Sequence, residues 1–382
     1  MTVISRIETF LVPPRWLFVR IETESGIVGW GEATCEGRSE TVRAAVEQLS
    51  ELLIGRDAFR IEDHWQVMTK GSFYRGGPIL ASAVSGLDQA LWDIAGKHFN
   101  TPVHQLLGGH VRDRIRMYGW VGGDEPNEVA DQISAQLEVW LTAVKMNASG
   151  RMSPVASVAE IDGVIRRVAA ARQVLGDHRD VAVDFHGRFS LANAKRVAPL
   201  LEPFRPFFLE EPVVPENTHL LREFTSSTTT PVSTGERLYN RQEFLPALQA
   251  GIAVAQPDLS HAGGITEVRK IAALAEVYEV QLAPHCPLGP LALAACLQVG
   301  FATPNFLIQE QSIGIHYNQG AEVLDYVVDK TPFKFVNGHI ERLTGPGLGI
   351  DIDEAVVRAA DKRGHAWRGP VWRHPDGSFA EW

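Results

Sequence analysis

Eight short β-rich runs recur along this chain, and most of the intervals between them carry apolar residues at helical spacing. They are Arg116–Trp120 (RMYGW), Leu141–Asn147 (LTAVKMN), Val181–His186 (VAVDFH), Phe207–Glu211 (FFLEE), Pro231–Glu236 (PVSTGE), Ile252–Leu259 (IAVAQPDL), Val280–His285 (VQLAPH) and Phe306–Gln311 (FLIQEQ). Ala192–Leu201 and Thr266–Tyr278 are examples of the helical pattern between them. The runs are too apolar to leave one face in water, so the sheet they build must be covered on both sides. Eight such βα units predict a (β/α)8 barrel. A doubly wound open sheet needs fewer strands and a glycine-rich first turn, which is absent.

The chain before the barrel has another rhythm. Trp16–Ala33 alternates apolar and polar residues about Glu24-Ser25-Gly26, the pattern of a β-hairpin. Pro78–Lys97 repeats Leu80, Ala83, Leu87, Leu91 and Ile94 at helical spacing, with Pro78 near the start. Strands followed by helices, without alternation, predict an α+β domain over residues 1–114. The barrel is expected over 115–319. The segment 320–382, strand-like at FKFVNGHI and then rich in Pro and Gly, is expected to leave the barrel and pack on the N-terminal domain.

Composition removes several function classes. With 36 Lys+Arg against 46 Asp+Glu the formal charge is −10, which argues against a general affinity for nucleic acid. No apolar run approaches the roughly 20 residues that span a bilayer, and MTVISRIETFLVPPR lacks the apolar core of a secretory signal. Three cysteines at wide spacing (Cys35, Cys286, Cys296) suit neither a disulfide framework nor a zinc site, so a reducing, cytoplasmic setting is expected. The expected partners are a small-molecule substrate and further copies of the chain, not nucleic acid or membrane.

Barrel enzymes place reacting groups where each strand ends. Those ends carry Lys145 and Asn147, Asp184 and His186, Glu210, Glu236, Asp258, His285 and Glu310. Each alone has an ordinary explanation: Glu210 can cap the next helix, Asp258 can pair with an arginine, a lone histidine can be a satisfied polar residue. Together they do not, because burying charge without partners costs several kcal/mol. Asp184, Glu210 and Glu236 follow one another at a constant interval of 26 residues, at the ends of three successive strands. Neighbouring strands lie about 4.8 Å apart, so the three carboxylates converge on one volume. There they repel unless a divalent cation neutralises them, and an all-oxygen set favours Mg²⁺ over zinc.

His186 stands two residues beyond Asp184, which by strand alternation puts both on one face. His285 and Asp258 end neighbouring strands; an aspartate beside a histidine fixes its tautomer and raises its basicity, a pair suited to proton abstraction. Two histidines on opposite sides of a barrel mouth describe an acid and a base. His261 is a weaker candidate for lining the pocket or holding a loop, Cys286 is expected in the pocket wall, and His64, His98 and His374 read as surface residues.

VAVDFHGR, FFLEEPV, STGER, QPDLSHAGGIT, LAPHCPLGP and LIQEQS, in this order, resemble the enolase superfamily, in the mandelate-racemase subgroup of acid-sugar dehydratases. The resemblance extends over PPRWLFVRIET, FYRGGPILASA, LDQALWDI, IHYNQGAE, PGLGIDIDE and the terminal GSFAEW, nearly the whole chain. It implies a (β/α)7β barrel under an α+β capping domain made from the N- and C-terminal segments. It implies one Mg²⁺ per subunit on Asp184, Glu210 and Glu236, His285 with Asp258 as base, His186 as the acid for a leaving hydroxide, and Glu310 as a carboxylate stabilising the intermediate. Lys145 is expected to neutralise the substrate carboxylate. Many relatives carry Lys-x-Lys where this chain has Lys145-Met146-Asn147; Asn147 cannot abstract a proton, which disfavours two-base racemisation and leaves it a substrate-binding role. Arg20, Glu22 and the Gly31–Gly37 loop are expected to close over the mouth and contact the distal hydroxyls. The segment ASGRMSPVAS after Asn147 departs from the subgroup's form.

The implied reaction is Mg²⁺-dependent dehydration of an aldonic acid through loss of the C2 proton and the C3 hydroxyl. A catalytically retired metabolite-binding barrel and a glycosidase barrel are the alternatives; the second has no use for a three-carboxylate metal site.

Overall fold

The structure, a computed structural model, describes every residue except Met1, Asp124, Trp140, His316, Tyr317 and Gln319. It begins with an antiparallel meander of β1 (Ile4–Val12), β2 (Trp16–Thr23) and β3 (Val28–Glu32), the expected hairpin turning at Gly26 with φ +81°. β2 is buried on both faces and serves two cores in alternation. Trp16 and Phe18 enter the barrel's core, whereas Leu17, Val19 and Ile21 pack under α1 (Ser39–Leu53), α2 (Ile61–Lys70) and α3 (Pro78–His98). α3 lies so close to β3 that a Cβ on Gly31 would stand 2.0 Å from the Gly86 carbonyl oxygen, hence glycine at that crossing. His64 on α2, expected at the surface, is buried and bonds the Asp57 carbonyl at 2.8 Å. A short α4 (Val103–Leu106) leads to the barrel.

All eight expected strands form, the first longer than the run that announced it and the other seven shorter: β4 (Arg114–Val121), β5 (Ala143–Asn147), β6 (Asp180–Asp184), β7 (Leu209–Glu210), β8 (Val232–Thr234), β9 (Val254–Ala255), β10 (Gln281–Leu282) and β11 (Gln309–Gln311). They run parallel in sequence order. A Leu282–Phe306 bridge and the pairing of β11 with Met117–Gly119 of β4 close the cylinder. Between them lie α5 (Pro126–Glu138), α6 (Val158–Leu175), α7 (Leu191–Leu201), α8 (Leu221–Thr225), α9 (Arg241–Gln249), α10 (Gly264–Val277) and α11 (Pro290–Ala302). Seven helices for eight strands is the (β/α)7β form rather than the (β/α)8 form read from the runs. Among the described residues after β11 there is no barrel helix, and the chain departs. The boundary expected at residue 319, and three residues of IHYNQGAE, lie outside the described residues.

The last segment does not pack as a unit on the N-terminal domain. Its hairpin, β12 (Phe335–Val336) and β13 (His339–Glu341), pairs instead with Arg114–Arg116 of β4. β4 has eight residues and β11 covers only Met117–Gly119 of that edge, so β13 takes up the three that precede them. Other parts of the segment do reach the capping domain: Tyr326 meets Trp16 and Phe18 of β2 edge-on and donates to the Pro13 carbonyl at 2.7 Å, and α12 (Glu354–Asp361) lies on the sheet, where Asp361 accepts the Leu11 N–H at 2.8 Å. A final hairpin, β14 (Trp372–Arg373) with β15 (Phe379–Ala380), returns to the barrel mouth. Among the described residues no helix is long and apolar enough to cross a membrane.

Candidate active site

A plug of Tyr118, Ala143, Ala182, Phe208, Val254, Ala283 and Ile308 fills the barrel interior. Side chains alternate along a strand, so the residue two positions further on points to the same interior, one layer nearer the mouth. That rule generates the site: Trp120, Lys145, Asp184, Glu210, Gln256, His285 and Glu310 each stand two residues beyond a plug residue. Asp258 stands two beyond Gln256, and Glu236 two beyond Thr234 at the end of β8. Nearly every strand contributes one chemical group.

Asp184, Glu210 and Glu236 bring carboxylate oxygens within 4.8 Å of one another. Burial, then the neighbouring Glu210, pushes Asp184 well above the usual carboxylate range, and burial raises Glu210 as well. Glu236 is held low despite its burial, chiefly by His285 and His186. Anions gathered this closely and this far from water call for a cation between them, and the all-oxygen donor set suits a hard one. Lys145, 2% exposed, is the protein's own counter-charge. Its Nζ lies 2.7 Å from Glu210 and 3.1 Å from Glu310, and these two carboxylates keep it protonated against the cost of burial. Gln256 donates to the other Glu210 oxygen at 2.7 Å, and the Cys286 N–H donates to Glu310 at 3.1 Å.

His285 is gripped at both ends: Nδ1 lies 2.8 Å from Asp258 and Nε2 lies 3.3 Å from Glu236. Burial opposes its charge, but Glu236 and then Asp258 raise its pKa well above an ordinary imidazole's. His261 does both things expected of it, lining the cavity and meeting Ser82 at 3.1 Å, with its ring 3.7 Å from Asp258. Cys286 is buried and contributes its backbone rather than its thiol.

His186 reaches the cavity by a different route from the one expected. β6 ends at Asp184, and His186 takes a left-handed backbone, φ +52°, so strand alternation does not place it. An Asx turn does: Asp184 Oδ1 accepts the His186 N–H at 2.6 Å, as Asp258 Oδ1 accepts that of Ser260 at 2.6 Å. Burial pushes the imidazole down to about 4, against the pull of Glu236. Asn147 lines the cavity with its Oδ1 accepting from the Trp120 indole at 3.2 Å.

Arg20 and Glu22 are not brought to the mouth. Arg20 is 7% exposed and committed to Glu8 at 3.2 Å, Glu22 at 2.8 Å and Glu354 at 3.1 Å. It ties α12 to the capping sheet. Of the Gly31–Gly37 loop, Cys35 and Glu36 do face the cavity, Glu36 pairing with Arg15 at 3.1 Å. The cavity measures about 570 Å³, a size suited to a small molecule. Its outer wall includes Tyr239, Trp367, Trp372 and Trp382, which the strand-end reading missed. A signal was present: three of the nine tryptophans stand in the last sixteen residues, at 367, 372 and 382.

Comparison with known proteins accords with this geometry. Residues 128–356 match the enolase C-terminal domain-like family, and residues 11–108 match the mandelate racemase / muconate lactonizing enzyme N-terminal domain. The chain is 52% identical over 380 residues to the D-galactonate dehydratase of Cronobacter sakazakii, covering 99% of this chain and 100% of that protein. Crystal structures of mandelate racemase/muconate lactonizing enzymes superpose closely. The Sulfitobacter protein does so with TM-score 0.90 and 29% identity over 98% of this chain and 99% of that one. The Jannaschia protein does so with TM-score 0.85 and 32% identity over 97% and 99%. The chain belongs to the enolase superfamily, in its mandelate racemase / muconate lactonizing enzyme branch.

Proposed function

We propose that this chain is a Mg²⁺-dependent dehydratase that converts an aldonic acid into the 2-keto-3-deoxy acid, with D-galactonate, the substrate in the name of its 52% identical relative, as the first choice. The observation that carries this reading is the placement of two histidines about the carboxylate cluster. His186 follows β6 and His285 follows β10, four strands apart in an eight-stranded cylinder and so across its diameter, with the ligand-bearing ends of β6, β7 and β8 on the arc between. Two proton-handling groups so placed serve two carbons of one bound molecule.

Asp184, Glu210 and Glu236 would hold the cation, which when bound supplies positive charge to the substrate carboxylate; a Lys or His base with one or two Mg²⁺ ions is the established pattern of enolase-superfamily sites. That charge matters because a proton α to a carboxylate is hardly acidic, its loss making a dianion. With the pull of Glu236 on His285 offset by a bound cation, the neutral ring takes the C2 proton at Nε2 while Asp258 holds Nδ1 and stabilises the imidazolium that forms. The Lys145 ammonium, fixed between Glu210 and Glu310, adds permanent positive charge beside the cavity. As the imidazolium, with Nδ1–H on the Trp382 oxygen, His186 delivers its Nε2 proton to the departing C3 hydroxyl, water leaves, and the enol tautomerises to the keto acid. Asn147 has its oxygen engaged by Trp120 and so offers N–H donors, not a second base. A reducing, cytoplasmic setting belongs to the proposal, in keeping with three free cysteines.

The experiment is a panel of aldonates incubated with enzyme and Mg²⁺, scored for 2-keto acid. Formation from one or a few of them, abolished by chelation and restored by Mg²⁺, is the expected result. No product from any aldonate, or full activity in metal-free enzyme, overturns the proposal.

A further inference from the structure

We propose that Trp382 is a positioning residue for elimination: its main-chain oxygen holds the His186 ring so that the nitrogen facing the cavity meets the departing hydroxyl. The inference rests on the dehydratase reading. His186 Nδ1 lies 2.8 Å from the Trp382 oxygen, and the indole meets the imidazole edge-on, ring centres 5.6 Å apart at 77°. Among the described residues this is the only hydrogen bond made by the His186 ring. The two histidines thus differ in who holds them. His285 is oriented by a carboxylate from the adjacent strand end, Asp258 after β9. The strand ends beside His186 provide no equivalent, because Glu210 is committed to Lys145 and Gln256, and Asn147 to Trp120. The missing partner comes from the far end of the sequence.

The final hairpin is anchored firmly enough to do this. Arg151, in the segment after Asn147, donates to the Arg373 carbonyl. Arg188 donates to the Ser149 carbonyl and lies over the Trp372 ring at 4.6 Å. Trp367 lies 6.4 Å from Trp382 and beneath Arg15 of the capping domain, 5.6 Å from its guanidinium. β14 and β15 pair Trp372 with Ala380 and Arg373 with Phe379, which sets the register of the two residues that follow. The hairpin therefore bridges the capping domain, the β5–α6 segment and the acid. Nδ1 bound to a main-chain oxygen leaves Nε2 as the ring nitrogen available to substrate.

The test compares the wild type, a chain ending at Glu381, and Trp382→Phe, which restores the main-chain oxygen without the indole. Elimination is read as 2-keto acid formation with Mg²⁺, and proton abstraction as exchange of the C2 proton with solvent deuterium. Misplacing a general acid by about an ångström costs on the order of 100-fold. The shortened chain is expected to lose roughly 10- to 100-fold in kcat for elimination, with C2 exchange at saturating substrate within about threefold of the wild type. Turnover of a 3-deoxy-3-fluoro aldonate, whose leaving group needs no acid, should survive, and Trp382→Phe should recover most of the lost elimination. Equal loss of exchange and elimination overturns the proposal, as does no loss of either. Failure of Trp382→Phe to recover overturns the assignment to the main-chain oxygen. The ¹⁵N resonances of His186 read the contact without turnover: Nδ1 should shift in the shortened chain and return in Trp382→Phe, and an unchanged resonance also defeats the proposal. A wild type that dehydrates no aldonate while these resonances behave as expected defeats the dehydratase reading alone.

Discussion

Glu32 and Asp88 are as deeply buried as Asp184 and Glu210, yet they do opposite work. Both belong to the capping domain and both reach into the barrel to close a helix start. Glu32 accepts the Gly289 and Ala292 N–H groups at 2.9 and 3.1 Å at the beginning of α11, together with the Thr34 hydroxyl at 2.9 Å. Asp88 accepts the Thr266 N–H at 2.9 Å at the beginning of α10. Their charge meets backbone donors and the positive end of a helix dipole. The barrel-mouth acids find few such donors: Asp184 takes one backbone N–H, Glu210 takes Lys145 and Gln256, and Glu236 faces a histidine and the cavity. A buried carboxylate marks a reactive site only where its partners leave capacity for a ligand.

The contrast breaks most visibly at Glu236 itself. Glu236→Gln keeps the shape and removes a charge the cation needs, so its turnover should fall by at least about 10³-fold. Its thermal midpoint in chelator should stay within a few degrees, because no backbone donor loses its partner. Paired activity and calorimetric measurements decide this; substantial activity with a large drop in stability would make Glu236 a structural acid like Glu32.

The histidines sharpen the same distinction within the mouth. His285→Asn should lose C2 exchange and dehydration alike, each by roughly 10²- to 10⁴-fold. His186→Asn should lose dehydration by a comparable factor while C2 exchange persists, and a C3 fluoride should partly restore turnover. Loss of exchange in His186→Asn as complete as in His285→Asn would join the two histidines into one coupled unit.

The barrel and its chemistry were legible because both obey short-range rules. Period-two alternation carries each plug residue to its reactive neighbour, Ala182 to Asp184 and Phe208 to Glu210, and the 26-residue interval gives the order around the cylinder. What the sequence hid depends on long-range packing. Arg20 follows Trp16 and Phe18 in the alternation of β2, but the family's closing loop suggested the mouth, whereas α12, at the other end of the chain, supplies its partner Glu354. The β12–β13 hairpin reads as a capping element until the length of β4 leaves an edge for it. The clustering of tryptophans at 367, 372 and 382 hints at the cavity wall, but nothing local to Trp382 points to His186, since the contact is made by a main-chain oxygen.

On the structural side of the comparison, Asp88→Ala leaves the first N–H groups of α10 without their acceptor across the domain interface. A cap of this kind is worth about 1–2 kcal/mol, and the burial here favours the upper figure. Denaturant unfolding should show that loss, with turnover staying within about threefold of the wild type. Turnover reduced as severely as in the histidine variants would mean that Asp88 sets the position of the mouth and not merely the start of a helix.

The smallest expected effect is in pH dependence, and it runs in opposite directions for the two groups of acids. Glu236 is held below the usual carboxylate range by His285 and His186, whereas burial pushes Glu32 and Asp88 each up to about 7. The unfolded chain releases those two protons near pH 4, the folded chain only near 7. Between these values the native state binds more protons than the unfolded state, so stability falls as pH rises and the loss is complete above 7. For one such group the decline between pH 6.5 and 7.5 is roughly 0.7 kcal/mol. Replacing Asp88 by Asn, which keeps an acceptor oxygen for the Thr266 N–H and cannot ionise, should remove that slope. The mouth histidines and carboxylates titrate equally in both proteins, so the difference between the two stability curves isolates Asp88. Asp88→Asn should therefore gain on the wild type as pH rises through this window, by the amount the wild type loses. Parallel curves would mean that Asp88 is already ionised in the folded protein at pH 6.5, its helix-start donors outweighing burial, and the capping acids would then resemble Glu236 in charge and differ from it only in having no room for a ligand.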